Sequence, residues 1–301
     1  MTPSTPIEDV RLVVIVGPTA SGKSALAVRL AEKFNGEVIS ADSRQIYRGL
    51  EIGNGALGRR ERRGVPHHLI GAVNPKRRLS AADFVRLGRR AIREIAKRGK
   101  IPFLVGGAGF WVDALAEGWE LPAVPPDPKL RRRLAHLSAE RLLGMLKRLD
   151  PGRARTVGQK NPRRLIRAIE IARALGKVPA LARRHPYRTL WIGLHPKPNA
   201  QSRRIRARAR RMLARGLVAE TKRLRLGGVS IARIREFGFE YRATLAYLTG
   251  KIGRAELEGQ LIRKTIGYAR RQMTWFSRNP KIRWAQGTRE AASLVRRFLT
   301  A

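Results

Sequence analysis

The chain has 301 residues, and its 64 Lys and Arg against 22 Asp and Glu give a net charge of +42. Such an excess repels itself in the compact state and implies a polyanionic partner. Nucleic acid is favoured over a membrane, because no stretch approaches the roughly 20 apolar residues of a spanning helix. The absence of cysteine excludes disulfides, thiolate zinc sites and thiol nucleophiles, and it suits a cytoplasmic protein. The first residues, Met1-Thr2-Pro3-Ser4-Thr5-Pro6, lack the basic start and apolar core of a secretory signal.

Leu12-Val13-Val14-Ile15-Val16 is an apolar run suited to a buried parallel strand, and residues 25–34 continue with helical spacing. Residues 37–40 predict a second strand ending at Asp42. Residues 81–98 carry a helical stripe, and 101–105 form a third strand closed by Gly106-Gly107, with a short helix over 110–116. From Pro122 to about Arg188 the chain turns helical and strongly basic. Leucines at 130, 134, 137, 142, 143, 146 and 149 form one stripe, and Asn161-Pro162 opens another helix. A strand over 189–194, a long helix over 201–226 and a final helix over 254–277 follow. This alternation predicts an α/β fold, a mainly parallel sheet flanked by helices. Residues 1–120 and 189–301 form its core, and 121–188 an all-helical insertion.

Residues 17–24, Gly17-Pro18-Thr19-Ala20-Ser21-Gly22-Lys23-Ser24, match the phosphate-loop pattern GxxxxGK[ST] between a strand and a helix. Backbone N–H groups of such a turn face an anion, the helix start adds positive dipole, and Lys23 adds a mobile cation. Ser24 can place its hydroxyl on a Mg²⁺ shared with the phosphates. In a parallel sheet ligands lie beyond the carboxyl ends of the strands, so this loop, residues 40–45 and Gly106-Gly107 should face one crevice.

A phosphate loop alone leaves kinase, nucleoside triphosphatase and transferase open. Ile39-Ser40-Ala41-Asp42-Ser43-Arg44-Gln45-Ile46-Tyr47-Arg48-Gly49-Leu50 closely resembles a signature of the tRNA dimethylallyltransferases. Val65-Pro66-His67-His68-Leu69-Ile70, Val105-Gly106-Gly107-Ala108-Gly109-Phe110 and residues 161–170 continue the resemblance, as do Tyr268-Ala269-Arg270-Arg271-Gln272 and Thr274-Trp275-Phe276. It runs from about residue 11 to about residue 285. It implies transfer of a dimethylallyl group from dimethylallyl diphosphate to N6 of the adenosine 3′-adjacent to the anticodon in tRNA.

In that reading Asp42 is the base, while Thr19, Lys23 and Arg208 stabilise the leaving diphosphate. The whole loop 17–24 and Arg208 bind that group, and Mg²⁺ sits at Ser24. Asp42, Ser43, Arg44, Gln45 and Ala108 meet the tRNA base. Arg131, Arg163, Arg164 and Arg167 grip phosphates from the insertion, together with Arg132 and Arg133. Solvated charge is the competing reading for any single arginine, and a metal-shell carboxylate or helix cap for Asp42. The adjacent His67-His68 are expected to pack or hydrogen-bond rather than bind metal, and Trp275 and Phe276 to pack in the core.

Several positions depart from the family pattern. Ala108 replaces a threonine, Ile52-Gly53-Asn54-Gly55-Ala56 stands for Ile-Gly-Thr-Ala-Lys, and Phe237-Gly238-Phe239-Glu240-Tyr241 for Ile-Gly-Tyr-Lys-Glu; Pro198 and Ser202 replace an arginine and a tyrosine. None touches the phosphate loop or Asp42. Three alternatives stay open: a small-molecule or nucleotide kinase, an adenylate isopentenyltransferase, and an RNA-binding protein with a vestigial loop. No obligate protein partner is evident, and a monomer is expected.

Overall fold

The computed structural model describes residues 10–301; the opening Met1 to Pro6 lie outside the described residues. The chain divides into two compact units, one up to Gly118 and again from His185, the other from Trp119 to Arg184. The first unit opens with β1 (Arg11–Val16), α1 (Lys23–Lys33), β2 (Gly36–Ser40), β3 (His67–His68), α2 (Ala81–Lys97), β4 (Ile101–Gly106) and α3 (Gly109–Ala116). The second unit holds α4 (Pro128–Leu134), α5 (Ala139–Leu149), α6 (Pro151–Thr156) and α7 (Pro162–Leu175). The chain returns to the first unit with β5 (Arg188–Leu194), α8 (Pro198–Ala214), α9 (Leu217–Leu226), α10 (Ile231–Glu236), α11 (Phe239–Leu248), α12 (Arg254–Phe276), β6 (Ile282–Ala285) and α13 (Thr288–Thr300). No helix among the described residues is long and apolar enough to cross a membrane.

The six strands form one sheet in the order β3-β2-β4-β1-β5-β6, and every pairing is parallel. Central β1 is covered on both faces, which is why Leu12 to Val16 is apolar without alternation. On one face Val13, Ile15, Phe103 and Ile192 pack against Leu26 and Leu30 of α1 and Val295 of α13. Fully burying a side chain of this size stabilises by about 1.5–3 kcal/mol. Truncating Phe103 to alanine would cost about 3–5 kcal/mol, because its cavity lies between sheet and helix.

The strand next to the sheet edge carries one buried acid. Glu37 of β2 is 3% exposed and accepts from His68 Nε2 (2.7 Å) and Arg98 Nη2 (2.6 Å), with Lys100 Nζ at 3.0 Å. Burial opposes its charge, but these three partners outweigh burial and hold the carboxyl down at about 2. His67 Nδ1 lies 2.8 Å from the Val65 carbonyl. The adjacent histidines thus serve the sheet edge.

In the helical unit α5 and α7 pack Leu142, Leu146, Leu165 and Ile169 against Leu130 and Leu134 of α4. Its ends meet as an antiparallel bridge, Trp119 opposite Arg183. Asp127, Ser138, Asp150 and Asn161 each cap the following helix by accepting a backbone N–H.

Four differences from the sequence expectations have local causes. The helix expected over 201–226 is two, α8 and α9, because Gly216 takes φ 93°, a left-handed turn that ends one helix and starts the next. The leucine stripe over 130–149 likewise splits into α4 and α5 where Ser138 caps the second. Helix α12 is not the last element, since β6 and α13 follow it, and β3 and β6 are too short for a periodicity to register. Helices α10 and α11 are short as well and carry no stripe long enough to read.

Candidate active site

Strand β1 delivers the chain into the turn 17–22, and α1 begins at Lys23, two residues before the predicted start. The turn is braced by its own atoms: Ser21 N donates to the Pro18 carbonyl (3.2 Å), and Lys23 Nζ reaches that carbonyl at 3.3 Å. Thr19 is held by two distant glutamines. Its N–H (2.8 Å) and hydroxyl (3.1 Å) both donate to Gln272 Oε1 of α12, and its carbonyl accepts from Gln201 Nε2 of α8 (2.9 Å). Gln272 also donates to the Gly107 carbonyl (2.8 Å), so one buried amide ties the phosphate loop to the turn after β4.

Strand β2 ends at Ser40 and delivers Asp42. Asp42 Oδ1 accepts from the backbone N–H of Arg44 (2.9 Å) and of Gln45 (3.4 Å), an Asx-type turn that fixes the carboxylate at the strand's carboxyl end. Ser40 Oγ donates to Gln45 Oε1 (2.9 Å), and Ser43 is half-buried. The Arg44 guanidinium is ion-paired to Glu240 and lies over the rings of Phe239 and Tyr268, each 5.4 Å away. Burial works against its charge, yet Glu240 and then Asp42 hold it above its ordinary value. Arg44 is therefore engaged within the protein.

Arg208 of α8 is half-buried and donates through Nη2 to the Asn54 carbonyl (3.0 Å). The turn carrying Asn54 is pinned by Glu220, which accepts from Ile52 N (2.7 Å), Gly53 N (2.8 Å) and the Tyr241 hydroxyl (2.8 Å). Lys23, Arg208 and Asp42 lie within each other's fields. Burial pushes the Lys23 ammonium down to about 8, with Asp42 opposing and Arg208 adding to the fall. Burial also lowers Arg208, against Glu240 and Asp42. Two partly desolvated cations beside one carboxylate are prepared for a polyanion, whose arrival would favour the lysine's charged form.

Ser24, in the first turn of α1, lines a cavity of about 20 Å³ together with Ser40, Gln45 and His67. The Ser24 and Ser40 hydroxyls and the Gln45 amide oxygen are ligands of the kind Mg²⁺ accepts, and Mg²⁺ needs few of them because it keeps waters and phosphate oxygens. Among the described residues no cluster of three His, Asp or Glu offers a cage made of protein alone.

Ala108 is the N-cap of α3 and makes no side-chain cap, so that helix start lacks the bond a hydroxyl there could give. Trp275 donates from Nε1 to Asp113 Oδ2 (2.8 Å) and Phe276 is buried. In the helical unit Arg131 grips Glu170 with two bonds (2.9 and 2.8 Å), and Arg167 reaches the same carboxylate at 2.5 Å and the Val124 carbonyl at 2.9 Å. Arg132, Arg133, Arg163 and Arg164 are exposed.

Local motifs thus point to Lys23 and Asp42, and the family resemblance to Arg208. Sequence reasoning misses Gln201 and Glu220, meets Glu240 and Tyr241 only as departures from the family pattern, and reaches Tyr268 and Gln272 only as parts of a motif. Most of their contacts join positions some 150–250 apart, and no local pattern announces them.

A parallel sheet whose central strand opens into a glycine loop and helix defines a P-loop protein. The family model described as "IPP transferase" matches residues 45–279, and one described as "Isopentenyl transferase" matches residues 10–68. The chain is 41% identical to the tRNA dimethylallyltransferase of Roseiflexus sp. (strain RS-1), covering 96% of this chain and 99% of that one. It is 42% identical to the tRNA dimethylallyltransferase of Thermomicrobium roseum, covering 91% and 85%. Among solved structures it is similar to the tRNA isopentenylpyrophosphate transferase of Bacillus halodurans (TM-score 0.73, 34% identity, 96% and 97% covered). A eukaryotic dimethylallyltransferase acting on tRNA is also similar (TM-score 0.78, 25% identity, 97% and 80% covered). The chain belongs to the IPP transferase family, the tRNA dimethylallyltransferases.

Proposed function

We propose that this chain transfers a dimethylallyl group from dimethylallyl diphosphate to N6 of the adenosine on the 3′ side of the anticodon in tRNA. One juxtaposition carries the reading: the Asp42 carboxylate past the end of β2 lies within the electrostatic reach of both the Lys23 ammonium at the start of α1 and the Arg208 guanidinium of α8. The adenine amine is a weak nucleophile because its lone pair is delocalised into the ring. As N6 attacks C1 of the allyl group, the C1–O bond breaks and diphosphate leaves with its electron pair. Asp42 takes the N6 proton. Charge developing on the leaving group meets the free N–H groups of the loop 17–24, Lys23 and Arg208; Thr19, expected as a donor, instead gives its N–H and hydroxyl to Gln272 and holds the loop in shape.

Ser24 would hold Mg²⁺, which when bound adds positive charge at the leaving diphosphate. Ser43, Gln45 and Ala108 would border the target nucleotide, which must be turned out of its stack. The exposed Arg132, Arg133, Arg163 and Arg164 would grip tRNA phosphates from the helical unit, with Arg131 and Arg167 steadying its fold around Glu170. The protein would work as a monomer in the cytoplasm, where it meets its tRNA.

Purified protein incubated with Mg²⁺, labelled dimethylallyl diphosphate and total bacterial tRNA tests this, with AMP as rival acceptor and ATP as rival donor. Label is expected in tRNA. Label in AMP would instead mark an adenylate isopentenyltransferase, and phosphate transfer from ATP a kinase.

A further inference from the structure

We infer that Glu240, which no step above touches, is a positioning residue that sets the Asp42 carboxylate through Arg44. The inference rests on the proposed role of Asp42 as the base. Glu240 lies in the first turn of α11, is 7% exposed, and pairs with the Arg44 guanidinium. Arg44 is gripped on its other sides by the faces of Phe239 and Tyr268. With that side chain immobilised, its backbone N–H stands 2.9 Å from Asp42 Oδ1 and holds the carboxylate's rotation. The path from Glu240 to Asp42 therefore runs through one ion pair, one residue and one hydrogen bond.

The surrounding backbone is shaped for this pair. Gly238 has φ 130°, and a Cβ there would stand 2.8 Å from Arg44 Nη1 and 2.9 Å from Glu240 Oε2. The segment Gly238-Phe239-Glu240 thus supplies the space, a ring face and the charge in three consecutive positions. Without the Glu240 carboxylate, Arg44 would be a largely desolvated cation left with Asp42 as its remaining counter-ion. It would move toward Asp42 itself or toward solvent, and either shift turns the base. A displacement of about 1 Å in a reacting group lowers turnover by about 100-fold.

The test is a kinetic cycle on the full chain with dimethylallyl diphosphate and tRNA, using Glu240→Gln, Glu240→Asp, Asp42→Asn and Asp42→Asn/Glu240→Gln, with thermal unfolding recorded for each. Glu240→Gln is expected to lower kcat by about 10- to 100-fold while both KM values stay within about threefold. Glu240→Asp keeps the charge on a shorter arm and should recover part of the loss. In the Asp42→Asn background, under single-turnover conditions, Glu240→Gln should have no further effect, because the group it orients is gone. An equal loss in both backgrounds would overturn the inference, as would unchanged kcat in Glu240→Gln. If Glu240→Gln does not fold, Glu240→Asp and the added double variant Asp42→Asn/Glu240→Asp decide in its place: a kcat loss seen with Asp42 and absent with Asn at that position supports positioning, and an unchanged kcat or an equal loss in both backgrounds overturns it. A wild-type enzyme that labels no tRNA would count against the proposed function rather than against this residue.

Discussion

The two units treat their cations differently. In the α/β unit Lys23, Arg44 and Arg208 are partly withdrawn from water and set against Asp42 and Glu240. In the helical unit Arg131 and Arg167 are drawn inward by the buried carboxylate of Glu170, while Arg132, Arg133, Arg163 and Arg164 stay in solvent. With 22 acids among 64 bases, a buried carboxylate becomes a hub, and Glu37 and Glu170 each gather several donors. Buried, fixed charge suits chemistry that must not reorganise, and solvated charge suits a grip released by salt. Function is thus divided by desolvation more than by residue type.

The largest effect expected from this contrast falls at Asp42. Asp42→Asn should lower kcat by about 10²- to 10⁴-fold with tRNA affinity within about twofold, measured by steady-state kinetics and filter binding. Near-normal turnover would remove Asp42 from the base role.

Next comes Glu37, whose carboxyl is held at about 2 in the folded chain against 4.5 as a free side chain. A depressed acid stabilises the fold above its unfolded pKa, and that contribution is lost as pH falls from about 4.5 toward 2. Urea unfolding of Glu37→Gln should therefore show a deficit of up to about 3 kcal/mol at pH 6 that vanishes near pH 2. A constant deficit across that range would mean that packing, not charge, is lost.

Donor binding should respond at the opposite end of the scale. Lys23 loses its proton near pH 8 in the free enzyme, and a bound diphosphate requires it charged. KM for dimethylallyl diphosphate should be flat below about pH 8 and rise above it, by at most about tenfold per pH unit. The Lys23→Arg enzyme, whose cation does not titrate there, should lose that rise.

The smallest effects separate the two kinds of arginine in the helical unit. Arg163→Ala and Arg164→Ala should each reduce the slope of log affinity against log salt by about 1, leaving kcat unchanged. Arg131→Ala and Arg167→Ala should instead lower the melting temperature, because each leaves Glu170 short of a partner. A salt-slope change of equal size in all four would erase the distinction between grip and scaffold.

Much of this is legible in the sequence, for a physical reason. Strands β1 and β4 are buried on both faces along nearly all their length and the middle of β5 is too, so they read as apolar runs, and the phosphate loop and the Asp42 turn are built from neighbours in sequence. Arg167 and Glu170 are three apart on one helix, a spacing that already permits their pairing. What stays hidden depends on distance along the chain. Nothing near Gln272 says that its amide meets Thr19, and Glu240 is only a departure from pattern until α11 places it on Arg44. The break at Gly216 escapes a reading by periodicity because the arginine-rich stripe on either side keeps the same helical phase.

The corner between β4 and α3 has consequences beyond its own residues, because it leaves no clearance. A methyl group added at Gly106 would run into the Ala41 carbonyl oxygen at 2.3 Å, one at Gly107 into the Gln272 amide nitrogen at 2.2 Å, and one at Gly109 into the Trp275 ring at 2.2 Å. Any of the three would act as a wedge, prising α12 away or shifting the backbone beneath Asp42. Inherited variants at these positions would then cripple donor capture while every group that meets the donor kept its identity, a lesion that inspection of the ligand contacts alone would overlook.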